Sequence, residues 1–256
     1  MDLLLPLACL VLGLVVGGAL TTLMARIPNG EPLLHPGPRC RTCEAPIALR
    51  DQVPVLSWLL LRGRCRACGT AIPARYPVVE GVTGLLFLGT ALWLGPSWAL
   101  PAGLYLAALT VVATAIDIDH HRLPDVLVLP SYPIMLGLLL LATAGPEDFA
   151  DLGRAVLGGV AMFLGYFVLA LINPSGMGGG DVKLAGVLGM ALGWVGWWPV
   201  LVGAFAGFFI GAFAGLVLLL LRRASRKSHI PFGPFMFVGT YVGLLFGEDF
   251  GRWYLG

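Results

Sequence analysis

Two carboxylate-bearing motifs stand at the ends of apolar stretches. One is Ile116-Asp117-Ile118-Asp119-His120-His121, with Leu123-Pro124-Asp125 just beyond it; the other is Gly176-Met177-Gly178-Gly179-Gly180-Asp181-Val182-Lys183. A carboxylate at a membrane boundary is costly to keep and marks a functional position by default. Two carboxylates that meet can share one proton, and such a pair activates water for attack on a carbonyl carbon. A second reactive set lies nearer the N-terminus: Cys40-Arg41-Thr42-Cys43 and Cys65-Arg66-Ala67-Cys68, with 21 residues between the pairs. Each Cys-x-x-Cys offers two thiolates at the spacing of half a tetrahedral zinc site, so Cys40, Cys43, Cys65 and Cys68 make a complete structural Zn2+ set. Disulfide pairing is the competing reading, and a reduced cytoplasmic setting argues against it.

Within the first motif, a helix continued to residue 121 places Asp117 and His121 one turn apart on a shared face, with Asp119 pointing elsewhere. Leu123-Pro124 stops that helix, and Asp125 is placed to cap the next one. Asp119 is equally well explained as an interfacial charge paired with Arg122. His120 and His121 lack a His-Glu-x-x-His pattern and read as hydrogen-bonding residues beside the carboxylates. In the second motif, glycines including Gly178 and Gly180 free the backbone and let another segment approach closely. Asp181 could also be a plain N-cap behind a flexible connector, and Lys183 with the helix N-terminus gives it positive neighbours.

The elements that must position these residues follow from composition. A mean hydropathy of +0.88, 58% hydrophobic residues and only 12% charged ones lie far from a soluble domain. The fold class expected is an all-α polytopic membrane protein of about eight transmembrane helices, near residues 3–24, 78–94, 99–116, 126–144, 152–172, 182–194, 198–221 and 232–246. The sixth is short and glycine-rich, and its boundary with the seventh falls within 193–199. The first span begins with Asp2 and has no basic residue ahead of its apolar core, so it reads as a retained helix rather than a signal peptide.

Fourteen of the 16 Lys and Arg fall in residues 26–77, 117–125, 173–181, 222–231 and their immediate flanks, including the cluster Arg222, Arg223, Arg226 and Lys227. The opposite side holds Arg154 and Arg252 with Asp2, Glu147, Asp148, Asp151, Glu248 and Asp249. The positive-inside rule then puts both carboxylate motifs and the large segment 26–77 on the cytoplasmic face. Three domains are expected: the first helix over 1–25, a cytoplasmic four-cysteine zinc-binding domain over 26–77, and a transmembrane domain over 78–256. The cysteine domain has too little core to fold unaided, and a structural metal would supply what burial does not. Cys9, in the first span, is a small packing residue. A formal net charge of +2 gives no reason to expect a nucleic-acid partner.

Taken together, these blocks resemble the type IV prepilin peptidase family, bifunctional leader peptidases and N-methyltransferases that process pilins and type II secretion pseudopilins. The likeness runs through Arg26-Ile27-Pro28, both Cys-x-x-Cys pairs, and Val53-Pro54-Val55-Leu56-Ser57-Trp58-Leu59 leading to Arg62-Gly63-Arg64-Cys65. It continues in Arg75-Tyr76-Pro77-Val78-Val79-Glu80 and ends in the two carboxylate motifs. The resemblance implies an aspartyl peptidase with catalytic Asp117 and Asp181, supported by Asp119, Asp125, Gly178, Gly180 and Lys183. It also implies a prepilin or pseudopilin substrate cut after Gly, and residence in the lipid bilayer of a bacterial inner membrane. Methyl transfer from S-adenosylmethionine, associated with the cysteine domain, is implied by the resemblance alone, and no residues are assigned to that cofactor. Whether the chain forms a homodimer is left open.

Two departures, Ala19-Leu20-Thr21-Thr22-Leu23-Met24 and Asp51-Gln52, fall in the region tied to methyl transfer, away from the aspartates. Glu31, Glu44, Asp51 or anionic lipid would receive the basic leader of the substrate. Two other readings compete, a proton-coupled transporter and a non-catalytic zinc-scaffolded assembly protein. The aspartates sit at span ends rather than midplane, and a cysteine domain has no evident part in transport.

Overall fold

The computed structural model describes residues 3–32, 37–145, 148–173, 176–221 and 230–256. Asp2, Glu147 and the basic cluster Arg222, Arg223, Arg226 and Lys227 lie outside the described residues. All eight expected spans are helical: α1 (Leu4–Arg26), α3 (Arg75–Leu94), α4 (Leu100–His120), α5 (Asp125–Ala142), α6 (Phe149–Ile172), α7 (Gly179–Val195), α8 (Trp197–Leu220) and α9 (Gly233–Leu255). A short α2 (Leu56–Leu60) lies in the cysteine segment. Six of these helices, α1, α3, α4, α5, α6 and α8, are long and apolar enough to cross a bilayer. Of the other two, α7 has 17 residues and α9 carries Glu248, Asp249 and Arg252 near its end. The break between α7 and α8 is a single residue, Gly196, where the Glu248 carboxylate and Pro199 occupy the space a side chain would need.

The chain divides into two compact units, residues 1–112 and 113–256, each described by itself. In the first, α1 and α3 pack along their lengths because glycines let the backbones close up. A Cβ on Gly13 would lie 2.8 Å from Phe87, and one on Gly17 would lie 2.6 Å from the Glu80 Cα. Cys9 is buried with Phe87, Ala91, Leu100 and Ala107, so it packs as expected.

In the second unit, α7 is the central element. Val182 and every residue from Leu184 to Trp194 are buried, sheathed by α5, α6, α8 and α9. Its small residues make that possible: Gly189 and Gly193 meet the α6 backbone at Gly158, and Gly186 makes room for Tyr132 of α5. The carbonyls at its C-terminal end, which have no helical partner, accept from Arg154. Nε of Arg154 donates to Gly193 O at 2.7 Å and its NH2 group to Trp194 O at 2.6 Å, while Asp151 holds the same guanidinium at 2.7 Å. On α8, Phe205, Phe209 and Phe213 stay exposed, as side chains facing lipid would be.

Candidate active site

Asp117 lies in the last turn of α4 and is only 4% exposed, whereas Asp119 and His120 are exposed. The helix ends one residue earlier than the sequence predicts. His121 takes a left-handed φ of 51°, and its N–H donates to Asp117 O at 2.8 Å. Its imidazole still lies within electrostatic range of Asp117. The Asp117 carboxylate meets the start of α9, where Gly233 N–H donates to Oδ2 at 2.9 Å. Amides with no helical partner and the positive end of the helix dipole make this a natural seat for a carboxylate. A Cβ on Gly233 would come within 2.8 Å of Oδ2, so the approach requires glycine.

Asp181 is the third residue of α7. Gly178, not Asp181, is the N-cap, and its N–H donates to Asp181 Oδ2 at 3.1 Å. What fits against the glycines is the chain's own hinge: a Cβ on Gly180 would lie 2.9 Å from both the Cβ and the carbonyl oxygen of Leu123. The second motif is thereby seated against the α4–α5 turn that follows the first. Asp117 is close enough to Asp181 to enter its electrostatic environment. Tyr166 of α6, buried against Phe208 and Phe232 with ring centroids 5.0 and 6.4 Å away, also feels the Asp181 charge.

Asp125 is the first residue of α5 rather than its cap, which is Pro124. Its carboxylate is taken by Lys183, whose Nζ donates to Oδ1 at 2.6 Å and to Oδ2 at 2.8 Å. Lys183 therefore serves Asp125, not Asp181 as its place in the sequence predicts. Tyr132 OH donates to Lys183 O at 2.6 Å and fastens α5 to the same turn of α7. Sequence patterns do not single out Gly233, Tyr132 or Tyr166. Only Gly233 carries a signal, the Gly233-Pro234 pair that opens a helix and leaves an amide free for an anion.

In the other unit, Cys40, Cys43, Cys65 and Cys68 bring their sulfurs within 4.8 Å of one another. Cys40 Sγ and Cys68 Sγ are 3.8 Å apart. That is the edge of a thiolate tetrahedron about an ion with ~2.3 Å metal–sulfur bonds. The set fits a metal ion of the zinc type. The two halves are built alike. Cys40 N–H donates to Ala45 O and Glu44 N–H to Cys40 O; Cys65 N–H donates to Thr70 O and Gly69 N–H to Cys65 O. Glu44 and Gly69 hold matching positive φ of 56° and 70°. The Thr70 hydroxyl and amide beside the Cys68 sulfur pull its thiol down to about 6, whereas, against the pull of the Ala45 amide, the Cys68 and Cys40 sulfurs push Cys43 up to about 11. Asp51 is bound by Arg66 through two hydrogen bonds of 2.8 and 2.7 Å, and Glu44 faces Arg39 at 3.7 Å. Two of the three acidic residues expected to receive a basic leader are therefore already engaged.

Helices of membrane-crossing length, two carboxylates gathered at helix ends and a separate four-cysteine cluster define a polytopic membrane protein with a candidate acid–base site. Residues 11–94 match the bacterial peptidase A24 N-terminal domain, and residues 104–220 match the type IV leader peptidase family. A protein of Aeromonas hydrophila named prepilin leader peptidase/N-methyltransferase is 41% identical over 231 residues, 87% of this chain and 76% of its own. Proteins of the same name from Stutzerimonas stutzeri and Pseudomonas aeruginosa are 35% and 34% identical, each across 97% of this chain and 93% of its own. No solved structure matches. The chain belongs to the type IV leader peptidase family and is a peptidase of the inner membrane.

Proposed function

We infer that the chain removes the leader from type IV prepilins and type II secretion pseudopilins by cutting after a Gly, then N-methylates the new N-terminal residue. The observation that supports the hydrolytic half is that Asp117 enters the electrostatic environment of Asp181, with the two carboxylates held by the amides of Gly233 and Gly178 respectively. In this reading one carboxylate is ionised and takes a proton from water as the water oxygen attacks the scissile carbonyl carbon. The other is protonated and gives its proton to the carbonyl oxygen; the intermediate then collapses as the first carboxyl passes its proton to the leaving nitrogen and the second takes one back from a hydroxyl, releasing the amine and the new carboxyl end. No acyl-enzyme forms. Asp125, Lys183, Gly178 and Gly180 are positioning residues that fix the start of α7, and Asp119 is an exposed neighbour.

Charge distribution supports placing both aspartates and the cysteine domain on the cytoplasmic side. Cys40, Cys43, Cys65 and Cys68 would hold Zn2+ as a structural ion that ties the two knuckles together. S-adenosylmethionine supplies an electrophilic methyl group when bound. The names of the relatives support that donor, and the chain's own task is to present the new amine to it. The test is incubation of the purified protein with a prepilin, with and without S-adenosylmethionine, read by mass spectrometry. Cleavage should vanish in both Asp117→Asn and Asp181→Asn; persistence in both would sink the peptidase site. Intact cleavage with no added methyl would leave a peptidase alone.

A further inference from the structure

One sequence block serves neither the carboxylate pair nor the cysteine cluster: Arg75-Tyr76-Pro77-Val78-Val79-Glu80, at the start of α3. Glu80 lies where α3 crosses Gly17 and Gly18 of α1. Its carboxylate reaches from this helix pair to the cysteine segment, where Oε2 accepts from Val55 N–H at 2.7 Å. Val55 has φ 58° and ψ −51°, and Leu56 N–H closes across it onto Pro54 O at 2.5 Å. This is a γ-turn of the rare, strained hand, with a β-branched residue at its centre. Strain of this kind persists only where surrounding contacts impose it, and it collects at functional sites. The turn sits between the two knuckles. Gln52 Nε2 donates to Ile47 O of the first at 2.7 Å, and Trp58 Nε1 donates to Ile72 O of the second at 3.0 Å.

We propose that Glu80 is a positioning residue for methyl transfer: by holding the Val55 turn it fixes the cysteine domain against the α1–α3 pair, so that acceptor amine and methyl donor meet in register. This rests on the methyltransferase reading above. A part-buried amide left without an acceptor is costly, so the bond to Oε2 holds a conformation that valine would otherwise leave. Glu80 is not one of the carboxylates assigned to the cleavage step, so the two activities should separate.

The experiment uses the full chain in detergent and measures prepilin cleavage, methyl transfer to pre-cleaved pilin, bound metal, Tm and hydrogen exchange over residues 53–60. Glu80→Ala should lower methyl transfer about a hundredfold, the cost of a displacement near ~1 Å, while cleavage, metal and Tm hold. Exchange over 53–60 should rise. Glu80→Gln should restore both readouts, because its amide oxygen still accepts from Val55 N–H. Val55→Gly in the Glu80→Ala background should recover part of the transfer, since glycine takes positive φ without strain.

Wild-type transfer in Glu80→Ala would overturn the proposal, as would a Glu80→Gln variant as impaired as Glu80→Ala, which would assign the effect to charge. Joint loss of cleavage, metal and Tm would reduce Glu80 to a general fold contact and overturn it too, as would a double variant no better than Glu80→Ala. Wild-type protein that transfers no methyl would sink the methyltransferase reading, and this inference with it.

Discussion

Gly233→Ala adds one methyl group at the point where α9 meets Asp117. The new carbon would stand 2.8 Å from Oδ2 and 3.4 Å from Cγ. An ordinary carbon–oxygen contact is ~3.3 Å, so one partner must yield by about 0.5 Å. The α9 backbone is poorly placed to yield, because Gly239 and Gly243 are interlocked with Gly203 and Gly207 of α8. The carboxylate therefore moves, and its 2.9 Å bond from the residue 233 amide lengthens or breaks. A displacement of this size at a reacting group costs about ten- to a hundredfold in rate. That loss should appear in kcat for prepilin cleavage, with KM nearly unchanged, and methyl transfer to pre-cleaved pilin should be untouched. Time-resolved mass spectrometry of both products, with Tm as the control for folding, reads the result. Wild-type cleavage in a folded Gly233→Ala protein would refute the seat assigned to Asp117; parallel loss of both activities and of Tm would refute the local mechanism.

Asp125→Asn should cost cleavage less than about fivefold, because a pair 57% and 36% exposed is worth only ~0–1 kcal/mol; a total loss would give Asp125 a direct part in the chemistry. Cys68→Ser should release the metal, seen by elemental analysis, and abolish methyl transfer while cleavage continues. Arg66, hydrogen-bonded to Asp51, holds that carboxyl below the usual carboxylate range. Their pair therefore stabilises the folded state above about pH 4, and its contribution is lost as pH falls through the lowered value. Asp51→Asn should lower Tm at pH 7, with the gap narrowing as pH falls below the usual carboxylate range; a gap independent of pH would contradict this. Arg154→Ala strips the α7 carbonyls of Gly193 and Trp194 of their donor and should destabilise the protein by about 2–4 kcal/mol, measured by thermal unfolding.

The sequence by itself determined the membrane class, the eight long helices, the four-cysteine set and the two aspartates worth testing. These depend on local properties: runs of apolar residues long enough to span a bilayer, cysteines two residues apart, and carboxylates with few bland explanations. It misassigned a partner where closeness in sequence was the guide, while the His121 ring that helical register sets beside Asp117 does lie within its electrostatic range. Lys183 lies two residues from Asp181 yet binds Asp125, 58 positions away, and Asp181 sits third in α7 behind a glycine cap. His121 leaves the helix at the residue where periodicity carries it on. Only the tertiary structure decided that Asp117 rests on the amide of Gly233, 116 positions away, and that the buried, small-residue helix α7 carries Asp181 to the same place. The physical reason is that meeting depends on backbone approach, and glycine marks where approach is allowed without saying what approaches.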